Sequence, residues 1–140
     1  MAQHEAGHRA LTHTADLRVE AWAPTRERCI AEALLATVEA FADVSAASPT
    51  EVRRRAVTGE DDEDLLVACL DELVYLLDTE GEVPVAAEVS PVADGVELRL
   101  DMVSVAGLEQ VGAVPKAVSL HDLRFGRGPD GWFCSVVLDL

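Results

Sequence analysis

Two carboxylates in apolar surroundings carry the clearest chemical signal in this chain. Asp16 follows His13-Thr14-Ala15 at the start of a strand-like run, and Asp139 lies within the closing Val136-Val137-Leu138-Asp139-Leu140. A carboxylate in such a run is costly to bury unless it is paired or bound to a cation. If the first and last strands pair, the two aspartates become neighbours and a divalent ion can lie between them. Hard cations such as Mg²⁺, Mn²⁺ or Ca²⁺ take oxygen ligands, and Leu140 offers one more. The competing reading is a pair of ordinary solvent-facing aspartates near strand ends.

Lys116 is the only lysine in the chain and opens Lys116-Ala117-Val118-Ser119-Leu120-His121. A lysine near carboxylates can offset their charge, or reach a phosphate as a point charge. The plainer reading is a solvated strand end. His13 and His121 read first as hydrogen-bonded structural histidines and second as ligands. His4-Glu5-Ala6-Gly7-His8 matches the HExxH zinc-protease pattern, which sets two histidines on one helical face. Here the pattern contains a glycine and runs within a few residues into a strand, so an incidental match is expected. The P-loop, the dinucleotide-binding fingerprint and the nucleophile elbow are all missing from the sequence.

The elements that must hold these residues follow from periodicity. Residues 1–10 read as a flexible leader, and 11–140 as one domain. From Leu11 to Trp22, Leu17, Val19 and Ala21 alternate with Asp16, Arg18 and Glu20, as in a half-buried strand. Thr25 caps a helix whose apolar stripe is Ile30, Leu34, Val38 and Phe41. Glu51–Thr58 reads as a strand. A second helix spans about Asp61–Asp78, with acids in its first turn, where they favour the helix dipole, and Gly81 at its end. Val83–Val92 and Val96–Val105 form a hairpin about Asp94-Gly95. Ala106–Pro115 is a loop, and Ala117–Phe125 with Trp132–Leu140 form a last hairpin. The order β-α-β-α-β-β-β-β, with two amphipathic helices, predicts an α+β two-layer sandwich. Both helices then cover one face of a mostly antiparallel or mixed sheet.

Composition narrows the function classes. In 140 residues the net charge is −15, and no Lys, Arg or His occurs between Arg55 and Arg99. A field of that sign repels phosphates, which argues against autonomous nucleic-acid binding and suits cations or a basic protein partner. Arg53-Arg54-Arg55 alternates across a strand and so makes no single basic patch. The acids from Glu60 to Asp64 read as a solvated helix start. Cys29, Cys69 and Cys134 lack metal or redox spacing and sit in apolar contexts, which predicts buried free thiols in a reducing compartment. No run reaches membrane-spanning length, so a cytoplasmic protein is expected.

Three segments together resemble the archease family. They are His13-Thr14-Ala15-Asp16; Asp64-Leu65-Leu66 through Leu76-Leu77-Asp78-Thr79-Glu80-Gly81; and Lys116-Ala117-Val118-Ser119-Leu120-His121 with Gly131-Trp132 and Val137-Leu138-Asp139. The resemblance implies a non-enzymatic protein cofactor of the RtcB-type RNA ligase, which uses GTP and divalent metal to join RNA ends in tRNA splicing and RNA repair. Such a helper promotes ligase guanylylation and repeated turnover. The family's metal-binding acids match Asp16 and Asp139, with Leu140 lending an oxygen, and its required lysine matches Lys116. Arg18, where a small residue is usual, and Leu120, in place of an aromatic, depart from the pattern. The alternative class is a free-standing metal-dependent hydrolase, working through HExxH or through the Asp16/Asp139 site.

Overall fold

Strict alternation of burial along Asp16–Ala23 (β2) shows how the chain builds its core. Leu17, Val19, Ala21 and Ala23 are sealed inside, whereas Asp16, Arg18, Glu20 and Trp22 lie half-buried on the other face. The structure is a computed structural model that describes residues 5–12 and 15–140. β2 is followed by helix α1 (Arg26–Glu39), the short strand β3 (Ala42–Asp43), β4 (Glu51–Thr58) and helix α2 (Asp62–Glu80). The remaining elements are β5 (Glu82–Val92), β6 (Gly95–Ser104), β7 (Glu109–Gln110), β8 (Ala117–Gly128) and β9 (Gly131–Asp139). Ahead of β2 runs β1 (Gly7–Thr12).

The helices begin and end as their sequences dictate. The Thr25 hydroxyl accepts the Arg28 N–H at 3.2 Å, and the Asp61 carboxylate accepts the Asp64 N–H at 2.8 Å. The Asp64 carboxylate reaches back to the Glu60 N–H at 2.9 Å, so the acidic run serves as a reciprocal helix cap. Gly81 ends α2 in the left-handed conformation, at φ 64° and ψ 34°.

Every strand pairing is antiparallel, and the strands divide among separate sheets. One sheet has the order β1-β2-β9-β8, a second β4-β6-β5, and β3 with β7 forms a small ribbon. The α+β class, with two helices packed on antiparallel strands, stands as expected. The division is a correction to the single covered sheet, because α1 packs against both β2 and β5, and α2 against β8, β4 and β5. Burial on more than one side of α1 fits this placement. Cys29, Ala31, Ala33 and Ala36 are buried along with the stripe of Ile30, Leu34 and Val38, and their small side chains let strands approach closely.

Three further readings change. Gly7–Thr12 is an edge strand paired with β2, not loose leader. The expected Leu11–Trp22 strand is therefore two: Thr12 pairs with Leu17, so the chain reverses between them. The loop expected at Ala106–Pro115 holds a 3-10 turn at Val105–Gly107 and the strand β7. Among the described residues no helix is long and apolar enough to cross a membrane.

Candidate functional site

β2 and β9 bring the two candidate carboxylates together. Their register sets Asp16 directly opposite Asp139, and the Leu140 N–H donates to the Ala15 carbonyl at 3.1 Å one step beyond. That bond makes Ala15 and Leu140 the hydrogen-bonded pair, so Asp16 and Asp139 form the adjacent non-hydrogen-bonded pair. In such a pair the Cα atoms lie about 4.5 Å apart and the side chains share a face. Asp16 is half-buried and Asp139 exposed. Leu17 and Leu138, the next pair inward, are sealed in the core and fix the register.

The other side of Asp139 is held by β8. Ala117 pairs with Asp139, and the Lys116 N–H donates to the Asp139 carbonyl at 2.8 Å. Asp16, Asp139, Leu140 and Lys116 thus meet at one corner of the four-stranded sheet. His121 does not join them. It is 83% exposed and lies 3.3 Å from Asp122, in an irregular stretch where β8 loses register with β9 between Ser119 and Arg124. His13 falls outside the described residues.

Like charges directly opposite on a sheet repel. Among the described residues no Lys, Arg or His forms an ion pair with Asp16 or Asp139. Arg18, one row further along the same face, is engaged elsewhere. Its guanidinium donates to the Ser135 hydroxyl at 3.0 Å and to the Asp122 carboxylate at 3.4 Å. Asp122 adopts a left-handed backbone, φ 58°, uncommon for a residue with a side chain. Sequence reasoning missed this brace. Its signal in the sequence is a shift of the apolar positions from even (Val118, Leu120) to odd (Leu123, Phe125), and in the structure Leu120 is 71% exposed.

The donor set suits a hard cation. Among the described residues no group of three or more His, Cys, Asp or Glu is arranged to hold a metal. An ion at this corner would therefore take two carboxylates, completed by main-chain oxygens and water, as Ca²⁺ and Mg²⁺ accept and structural zinc does not.

The HExxH pattern is not helical where it is described. Gly7 and His8 lie in β1, not on a helix, and His4 falls outside the described residues. Both His8 ring nitrogens are engaged by helix α1, Nδ1 with Glu32 at 2.8 Å and Nε2 with Glu39 at 2.7 Å. Burial disfavours the charged ring, but its hydrogen bonds to the Glu39 and Glu32 carboxylates outweigh it, and the His8 pKa is raised. The three cysteines are buried free thiols.

Fold and site together describe an antiparallel α+β protein with a carboxylate pair at an open sheet corner, not an enclosed catalytic cleft. Residues 8–140 match the Archease protein family. The chain is 53% identical over 135 residues to the "Probable protein archease" of Mycobacterium tuberculosis, covering 96% of this chain and 75% of that protein. It is 33% identical to "Protein archease" of Thermococcus gammatolerans, covering 91% and 94%. The solution structure of protein 1598 from Methanobacterium thermoautotrophicum superposes with a TM-score of 0.76 at 28% identity, covering 96% of this chain and 99% of that one. A Thermotoga maritima structure described as "an archease, possible chaperone" shares the fold, with a TM-score of 0.68 at 22% identity over 93% and 94% of the two chains. The chain belongs to the archease family.

Proposed function

We propose that this protein is a non-enzymatic activator of an RtcB-type RNA ligase, serving tRNA splicing and RNA repair in the cytoplasm. It would promote ligase guanylylation and multiple turnover through a divalent ion held at the Asp16/Asp139 corner. The observation that carries the reading is the direct opposition of Asp16 and Asp139, with Lys116 tied to the far side of Asp139. Two unneutralised carboxylates on one face are stable partners only when a cation or solvent separates them.

Asp16 and Asp139 supply the charged ligands, and the main chain around Leu140 supplies further oxygen. A bound ion offers charge stabilisation to a phosphoryl group during nucleotidyl transfer. Lys116 is exposed beside the pair, where it limits the local negative charge and can reach a phosphate presented by the partner. The acidic surface favours docking against a basic partner mouth and disfavours stable binding of nucleic acid by this chain alone. His121, exposed on β8, is a partner-facing candidate, and His13, outside the described residues, is a second.

The test is ligase turnover at substoichiometric ligase, with and without this protein. Wild type should raise the number of ligations per ligase, while Asp16→Ala and Asp139→Ala keep the fold and lose stimulation. Lys116→Ala should lose it as well. Full stimulation by both aspartate variants would sink the ion-holding role. No stimulation by wild type would sink the ligase.

A further inference from the structure

We infer that a cleft at the far end of the four-stranded sheet receives an arginine or lysine side chain from a basic segment of a partner protein. The cleft is separate from the acid pair. Trp22 and Phe133 face each other across β2 and β9, six residues along from Asp16 and Asp139, or about 20 Å at strand rise. They share the outward face of the sheet with those acids.

The aromatic pair has room and support. On β1, Gly7 pairs with Trp22, and a Cβ at Gly7 would lie 2.7 Å from the Trp22 ring. The missing side chain therefore lets the indole settle over the edge strand. On the other flank Gly126 pairs with Phe133, and a Cβ there would meet nothing within 4 Å. Phe133 is 40% exposed beside the half-buried Trp22, so an aromatic face is open to solvent there. Trp132, braced by Phe125 at a ring-centroid distance of 5.4 Å, and the turn residues Pro129 and Asp130 complete a cleft of about 460 Å³.

The charge of this lining selects the guest. Among the described residues Asp130 is the only ionisable one in the lining, and it forms no ion pair there. Arg127, paired with Trp132 across the hairpin, lines the neighbouring hollow, which shares Trp132 and holds Arg26 balanced by Glu27 and Asp62. Aromatic faces are electronegative and attract cations, Arg more often than Lys, and an adjacent carboxylate adds to that attraction. A chain of net charge −15 also draws basic segments toward it. Anionic and nucleotide guests meet the opposite field.

This inference does not depend on the acid pair or on the ligase. A glycine-serine peptide bearing arginines, titrated against the intact protein, should produce a saturable change in tryptophan emission, and its citrulline counterpart should not. Phe133→Ala should weaken binding about 2- to 5-fold, as the loss of an exposed cation–aromatic contact does, and Asp130→Asn should weaken it as well. Asp16→Asn should bind as wild type does. Wild-type affinity retained by both Phe133→Ala and Asp130→Asn would show diffuse attraction to an acidic surface and overturn the site. Equal binding of the citrulline peptide would remove the cationic guest.

Discussion

Asp16 and Asp139 stand opposite each other in a non-hydrogen-bonded antiparallel pair, the arrangement that brings two cross-strand side chains closest. Their mutual repulsion and the proposed binding of a divalent ion would both follow from that closeness. Adding Ca²⁺, Mg²⁺ or Mn²⁺ should therefore raise Tm. A ligand specific to the native state contributes about 2.7 kcal/mol at a hundredfold excess over its Kd. Asp139→Asn should abolish that rise, yet leave the metal-free protein as stable or more stable by up to about 1 kcal/mol. Thermal melts with and without chelator decide it. An unaltered metal response in the variant refutes the pair as ligands.

The His8 bridge to Glu32 and Glu39 links edge strand β1 to helix α1 and makes their attachment sensitive to pH. Folding raises the His8 pKa above its ordinary 6.5, so the native state favours the protonated ring. Its stabilisation is complete below that ordinary value and is lost as pH rises through the higher folded-state value. His8→Gln should flatten the Tm-versus-pH curve in that window and change little well above it. A wild-type curve reproduced by His8→Gln would remove the bridge from the stability of the fold.

Asp61 tests the assignment of the acidic run. It caps α2 through the Asp64 N–H, and Asp62 pairs with Arg26 at 3.0 Å. Asp61→Ala should cost about 0.5–2 kcal/mol in urea unfolding, despite removing one charge from a strongly acidic chain. Glu63→Ala, on the same exposed turn without a capping bond, should be close to neutral. If the two variants behave alike, the run is merely solvated charge.

The thiols should be inert until the protein opens. Burial pushes Cys69 up to about 12, and the hydrogen bond with Cys134, together with burial, raises Cys29 as well. Since the thiolate is the reactive form, an aromatic disulfide reagent at mildly alkaline pH should label the native protein only as fast as it unfolds. Denaturant should then expose all three cysteines. Immediate labelling of the folded chain would contradict their burial.

Much of the fold was legible in short stretches of sequence, because the rules that set it are short-ranged. Thr25 caps α1, Gly81 ends α2, and the alternation along β2 and β6 sorts wet faces from dry. The turn between β5 and β6 was placed within a residue: it is Ala93-Asp94, with Asp94 at φ 65°. These features depend on a residue and its neighbours within a turn or a pleat. Periodicity says which face of a strand is buried but not which strand will lie beside it.

The partners were settled only by the tertiary structure. Nothing local shows that Gly7–Thr12 turns back on β2, that His8 meets Glu32 and Glu39 on α1, or that Arg18 braces the irregular stretch of β8 through Asp122. The closeness of Asp16 to Asp139 followed from the sequence only on the assumption that first and last strands pair. The sealed pair Leu17 and Leu138 enforces that register, since a slip of one residue would turn the core face of one strand outward. By itself the sequence determined the residue types and their local faces. Long-range packing of buried leucines and valines decided which of those residues stand together.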